Sequence, residues 1–108
     1  MNKFLKIMKA LGDPSRLRIV NMLSLKPMCV CEIRQIIGSS MSTISNHLKI
    51  LRNAHIITSE KEERFINYHL RTDDELVNKV LHLVKDISDK QLQKDLQKAK
   101  KVDRVNIC

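Results

Sequence analysis

Apolar positions recur at helical spacing along most of the chain. Phe4, Leu5, Met8 and Leu11 follow a repeat of three to four residues, and Gly12 then offers a helix stop. Asp13-Pro14 predicts a restart. Asp13 can accept from the open N–H groups of the next first turn, and Pro14 supplies the preset φ of a first helical position. The second helix places Leu17, Val20 and Leu23 on one face, with Arg16 and Arg18 on others, and is expected to stop near Lys26-Pro27. Residues 28–37, MCVCEIRQII, predict a third short helix closed by Gly38. Ser39-Ser40 then cap a fourth, from about Met41 to Ala54, whose buried stripe is Ile44, Leu48 and Leu51. Its other faces carry Ser42, Thr43, Ser45, Asn46, His47, Lys49 and Arg52. Two short helices joined by a Gly-containing turn, the second with a polar to basic outer face, form a helix-turn-helix arrangement.

The pattern then changes period. Ile56 to Ser59 and a charged turn at residues 60–63 are followed by Arg64 to Leu70, where Ile66, Tyr68 and Leu70 alternate with Phe65, Asn67 and His69 at period two. This predicts a β-hairpin, the wing of a winged helix. From about Asp74, Leu76, Val80, Leu83, Val84 and Ile87 define a fifth amphipathic helix. Leu92, Leu96, Ala99 and Val102 continue at helical spacing in a polar tail that is either a further helix or a frayed one. The expected fold is mainly α with a small β-hairpin. Residues 1–87 are expected to form one winged helix-turn-helix domain, and residues 88–108 a helical or frayed tail carrying a cysteine.

Composition narrows the function. Apolar residues make up 43% of the 108 positions, almost all aliphatic or Met, which suits one modest helical core. Twenty Lys and Arg against twelve Asp and Glu give a net charge of +8, the footprint of a polyanion binder. That charge alone leaves nucleic acid and an anionic membrane surface both open; no apolar run is long enough to span a bilayer and the N-terminus has no signal-peptide apolar block, so a cytoplasmic protein is expected. No nucleophile and base constellation or phosphate loop is present, so no enzyme and no catalytic residue are expected. Cys29, Cys31 and Cys108 are too few and too odd in number for a disulfide framework and read as thiols that bind or sense.

The segments LGDPSRLRIV (11–20), CVCEI (29–33), STISNHLKILRNAHII (42–57) and RFINYHL (64–70) resemble the ArsR/SmtB family of metal-responsive repressors over roughly residues 4 to 87. The resemblance implies a homodimer, paired mostly through the first and fifth helices, that binds an inverted-repeat operator without ligand and releases it with one. On the fourth helix Ser40, Ser42, Thr43, Ser45 and Asn46 are placed to read base edges, with Asn46 suited to adenine. His47 contacts DNA or packs, Lys49 and Arg52 suit phosphates, and Lys61 and Arg64 serve from the wing. The chain departs from the commoner family pattern at Ser39, usually apolar, and at Met41, often Gln. The fifth-helix zinc site of the family is missing, since His82 has Lys79 and Lys85 as its i−3 and i+3 neighbours.

Cys29-Val30-Cys31 stands where the family's thiol sensors are similar to one another. Thiolates select soft ions, which points to arsenite or antimonite as inducer, with Cys29, Cys31 and Cys108 as ligands. Positions i and i+2 of an ideal helix point about 200° apart, so chelation by both would unwind the first turn of the third helix. Arsenic-type members often place a further Cys where Arg34 stands here, leaving the third sulfur to Cys108, in cis or in trans, or to an exogenous thiol. Other readings stay open: a cadmium or lead sensor, a redox or persulfide sensor, or two small buried side chains.

Overall fold

The computed structural model describes residues 2–103, so Cys108 lies outside the described residues. Six helices and one hairpin follow in the order α1 (Asn2–Leu11), α2 (Pro14–Leu23), α3 (Val30–Ile37), α4 (Met41–Asn53), β1 (Ile57–Glu62), β2 (Phe65–Leu70), α5 (Glu75–Lys85) and α6 (Lys90–Lys101). Among the described residues no helix is long and apolar enough to cross a membrane.

Local chemistry sets most boundaries. The Asp13 carboxylate accepts the Arg16 N–H at 3.1 Å, with Pro14 in the first turn, so α2 starts as expected. It ends at Leu23, earlier than expected. The Ser24 N–H turns back to Val20 and Asn21, and a residue preceding proline, here Lys26, is sterically steered away from helix. Gly38, at φ 87, closes α3 by donating to the Arg34 carbonyl at 2.8 Å. This left-handed position is where a glycine is needed.

Three expectations change. First, α3 begins at Val30 rather than Met28, because Met28 is engaged elsewhere. It exchanges two backbone hydrogen bonds with Tyr68 of β2 (3.3 and 2.8 Å), forming an isolated bridge that adds an extended residue to the hairpin. Cys29 therefore takes the N-cap position, with extended φ and ψ. Second, the charged residues 60–62 lie in β1 rather than in the turn. The register runs from Ile57 opposite Leu70 to Glu62 opposite Phe65, leaving a two-residue turn at Glu63-Arg64 with Glu63 at φ 57. Lys61 is thus a strand residue opposite Ile66, and only Arg64 sits at the tip. Third, α2 is not amphipathic in the simple sense. Ile19, Val20, Asn21, Met22 and Leu23 are all buried while Leu17 is only half-buried, because α1, α4, α6 and β2 pack around it.

The core joins Ile19 and Met22 of α2, Ile33 of α3, the Ile44, Leu48 and Leu51 stripe of α4, and Val77 of α5. The tail completes it as α6, whose Leu92 and Ala99 are buried. Asp95 of α6 is wholly buried and takes both Arg18 Nε (2.8 Å) and Nη2 (3.0 Å), a two-point charge-assisted pair between α6 and α2. Asn21 Nδ2 donates to the Leu92 carbonyl at 3.0 Å, and Lys26 Nζ to the Val102 carbonyl at 3.1 Å.

The Asp74 side chain caps α5 through the Val77 N–H at 3.1 Å and pairs with Lys3 Nζ at 2.6 Å. The Lys3 ammonium, then the Val77 N–H, hold its carboxyl below the ordinary value. A depressed pKa in the folded state contributes stability above the unfolded value, about 3.9, that disappears as pH falls through the folded one. Asp74→Asn, which keeps a cap, is expected to remove this part of the acid dependence. Urea midpoints measured from pH 3 to pH 6 check it.

Candidate nucleic-acid interface and thiol site

The turn from Gly38 to Ser40 delivers α4 with its first turn exposed. The Ser40 hydroxyl accepts the Thr43 N–H at 3.2 Å and donates to Thr43 Oγ1 at 2.9 Å, with Ser42 Oγ 3.2 Å away. Ser40 is therefore the helix cap as well as a candidate contact. It holds Ser42 and Thr43 in one hydroxyl cluster at the positive end of the helix dipole, an arrangement suited to a phosphate or base acceptor. Ser45, Asn46, Lys49 and Arg52 are exposed on the same helix. Their opposite face, Ile44, Leu48 and Leu51, is fully buried and fixes the helix rotation.

His47 differs from its neighbours. It is half-buried, and its Nδ1 stands 3.3 Å from Arg16 Nη1 of α2. Nothing in the linear pattern marked Arg16 as part of this face. At the hairpin tip the Arg64 guanidinium lies 5.2 Å from the centre of the Phe65 ring, and both Lys61 and Arg64 are exposed. If Asn46 reads a base while Arg64 meets the backbone, Asn46→Ala should lose affinity for one preferred duplex and little for random DNA. Arg64→Ala should weaken all duplexes alike and flatten the salt dependence by about one ion. Anisotropy titrations of each variant against preferred and random duplexes, at several salt concentrations, test both.

The thiol pair sits at the junction of three elements. Cys29 is 3% exposed, directly follows the Met28 bridge to β2, and caps α3. Its N–H donates to Glu32 Oε1 at 3.0 Å while the Glu32 N–H turns toward its sulfur, which makes a capping box from a cysteine. Burial pushes the Cys29 thiol up, the Glu32 N–H pulls it down, and the Glu32 carboxylate adds to the rise. Glu32 is itself buried, a feature that only the capping pattern C-x-x-E hints at. Cys31, in the first turn of α3, lines a hollow of about 350 Å³ with Arg34, Gln35, Gly38 and Met41, beside the start of α4. Its sulfur stands in a disulfide, so it ligates only when reduced. His55 and His82 are exposed, and His69 is half-buried on the hairpin. Among the described residues no group of three or more His, Cys, Asp or Glu side chains is placed to hold a metal ion, and none of these histidines joins the thiol pair.

Residues 13–59 match the family model described as bacterial regulatory protein, arsR family. A cadmium resistance transcriptional regulatory protein, a CadC homolog from Staphylococcus aureus, is 42% identical over 77 residues, which cover 70% of this chain. The chain spans 62% of the length of that relative. An arsenical resistance operon repressor from Bacillus subtilis is 38% identical over 82 residues, 75% of this chain and 76% of that protein. The solved structure of reduced HlyU from Vibrio cholerae matches with a TM-score of 0.69 at 28% identity, covering 77% of this chain and 85% of that one.

Proposed function

Because the chain belongs to the ArsR family of bacterial transcriptional regulators, we propose that it is a homodimeric repressor that leaves its operator when arsenite or antimonite binds the reduced thiols of Cys29 and Cys31. The observation that carries this reading is the place of Cys29. It is at once the cap of the helix supporting α4 and the residue next to the Met28 bridge to the wing. Drawing its sulfur toward a ligand shared with Cys31 breaks the capping box. The Glu32 N–H then loses its sulfur acceptor in the first turn of α3, a cost that favours a shift of that helix. Both DNA-contacting elements are packed on or bonded to this segment, so one local change reaches α4 and the hairpin together. A coupling of roughly 1–3 kcal/mol is the usual scale of such a response.

Dimerisation is supported by the apolar side chains left exposed on the first and fifth helices, Phe4, Leu5 and Leu83, with Ile87 just beyond α5. A two-fold dimer presents two α4 helices to half-sites one helical turn, or an integral number of turns, apart in an inverted repeat. The third sulfur comes from Cys108 or from a small thiol in solution.

Arsenite fits a buried, protonated Cys29 better than cadmium does. A thiol that displaces a hydroxyl from uncharged arsenite hands its proton to that hydroxyl as water, so no net proton is released. Cadmium binding releases each thiol proton to solvent. Cadmium affinity is therefore expected to rise about tenfold per pH unit for each proton released, and arsenite affinity to stay flat between pH 6 and pH 8. Release of a labelled operator, titrated with arsenite, antimonite, cadmium and lead across that range, tests the assignment. A flat cadmium response beside a pH-dependent arsenite response contradicts it.

The disulfide at Cys31 favours a second reading, repression relieved by thiol oxidation. Operator release by hydrogen peroxide, reversed by a reductant and absent in Cys31→Ser, would distinguish it.

A further inference from the structure

Arg16 is pinned at one end. Its Nε–H donates to the Ala10 carbonyl in the last turn of α1 at 2.7 Å, which fixes the guanidinium plane, and its Nη1 then meets His47 Nδ1 at 3.3 Å. A guanidinium has only hydrogens to offer, so Nδ1 must accept. An imidazolium has no lone pair for that purpose. The contact selects the neutral ring with its proton on Nε2, since the hydrogen bond at one nitrogen sets the state of the other. Nε2 lies at the far end of the ring from the backbone. His47 is half-exposed and follows Thr43 by one helical turn, so the two share a face, and Thr43 belongs to the exposed hydroxyl cluster at the start of α4.

We infer that Arg16 is a positioning residue for DNA readout: anchored to α1, it occupies Nδ1 of His47 and so presents Nε2–H as an uncharged donor to an acceptor on the duplex. The inference rests on α4 being the DNA-reading helix, and it assigns a role to a side chain outside that helix. It differs from a phosphate contact by Arg16 itself. An uncharged donor displaces no counterion, whereas a lost cation–phosphate contact lowers the salt slope by about 0.9.

The first test needs no DNA. Long-range nitrogen–proton NMR of the wild-type dimer at neutral pH is expected to show His47 protonated at Nε2 only, and Arg16→Met to show a mixture of both tautomers. A wild-type ring protonated at Nδ1, or mixed, overturns the inference. The second test uses a labelled duplex selected by the wild-type protein from a random-sequence pool. Arg16→Met should weaken it roughly tenfold, the scale of one good hydrogen bond, with the salt slope unchanged. The same substitution in a His47→Ala background should cost little more. Additive losses, or a slope reduced by about one, overturn the inference. If Arg16→Met does not fold, the wild-type tautomer and the salt slope of His47→Ala, expected unchanged, decide it. If the wild-type protein selects no duplex, the DNA-reading assignment of α4 fails, while the tautomer result still stands on its own.

Discussion

Arg18→Met is expected to lower folding stability by about 3–5 kcal/mol, the usual cost of removing one partner from a buried ion pair. The Asp95 carboxylate has no exposed surface, and two of its three side-chain donors come from the Arg18 guanidinium; the third is Gln91 Nε2 at 3.0 Å. Hydrogen bonding to Asp95 raises the Arg18 pKa above its already high value, so the cation is held charged. Without it the buried carboxylate keeps only the Gln91 donor, inside an apolar seam formed by Leu92, Ala99 and α2. Two buried charges also cost desolvation, so the pair is a poor source of net stability, and the double variant Arg18→Met/Asp95→Leu should recover most of the loss. Urea unfolding followed by far-ultraviolet circular dichroism measures both, the chain having no Trp. A single variant within about 1 kcal/mol of wild type would mean that this pair does not dock α6 in solution.

The elements that could be read from the sequence are those whose causes are local. Asp13-Pro14, Ser40 and Asp74 start helices by capping their own first turns, and Gly38 ends one by its own left-handed backbone. The Ile44, Leu48 and Leu51 stripe needs only the helical repeat. What escaped depends on residues far apart in the chain. Met28 looks like the start of a helix until Tyr68, forty residues later, claims its backbone. Residues 60–62 look like a turn because they are charged, yet a two-stranded wing exposes one face to solvent and accepts charges within the strand. The tail's character could not be settled from its polar composition, since α6 docks through the Asp95 and Arg18 pair and through Asn21, all on α2 or α6. At the site, the exposed side chains of α4 and the two thiols were legible by residue type. Arg16 and Glu32, which orient His47 and Cys29, were not, because each acts through a packing neighbour.

Cys29→Ser/Cys31→Ser is expected to fold, bind DNA and ignore the inducer. Serine is among the best N-cap residues and its oxygen accepts the Glu32 N–H more strongly than a thiol does, so α3 keeps its start. A hydroxyl is a hard ligand and does not replace a thiolate toward a soft metalloid. Cys108→Ser, with the pair intact and a small thiol added to supply the third sulfur, should weaken the response without removing it. The most direct measurement is anisotropy of a labelled operator duplex bound by wild type or by the double variant, titrated with arsenite under a phosphine reductant that adds no competing sulfur. A thiol-site mechanism requires near-equal affinity before arsenite, full release of the wild type, and a double variant that stays bound. Release of the double variant at the wild-type arsenite concentration would contradict it.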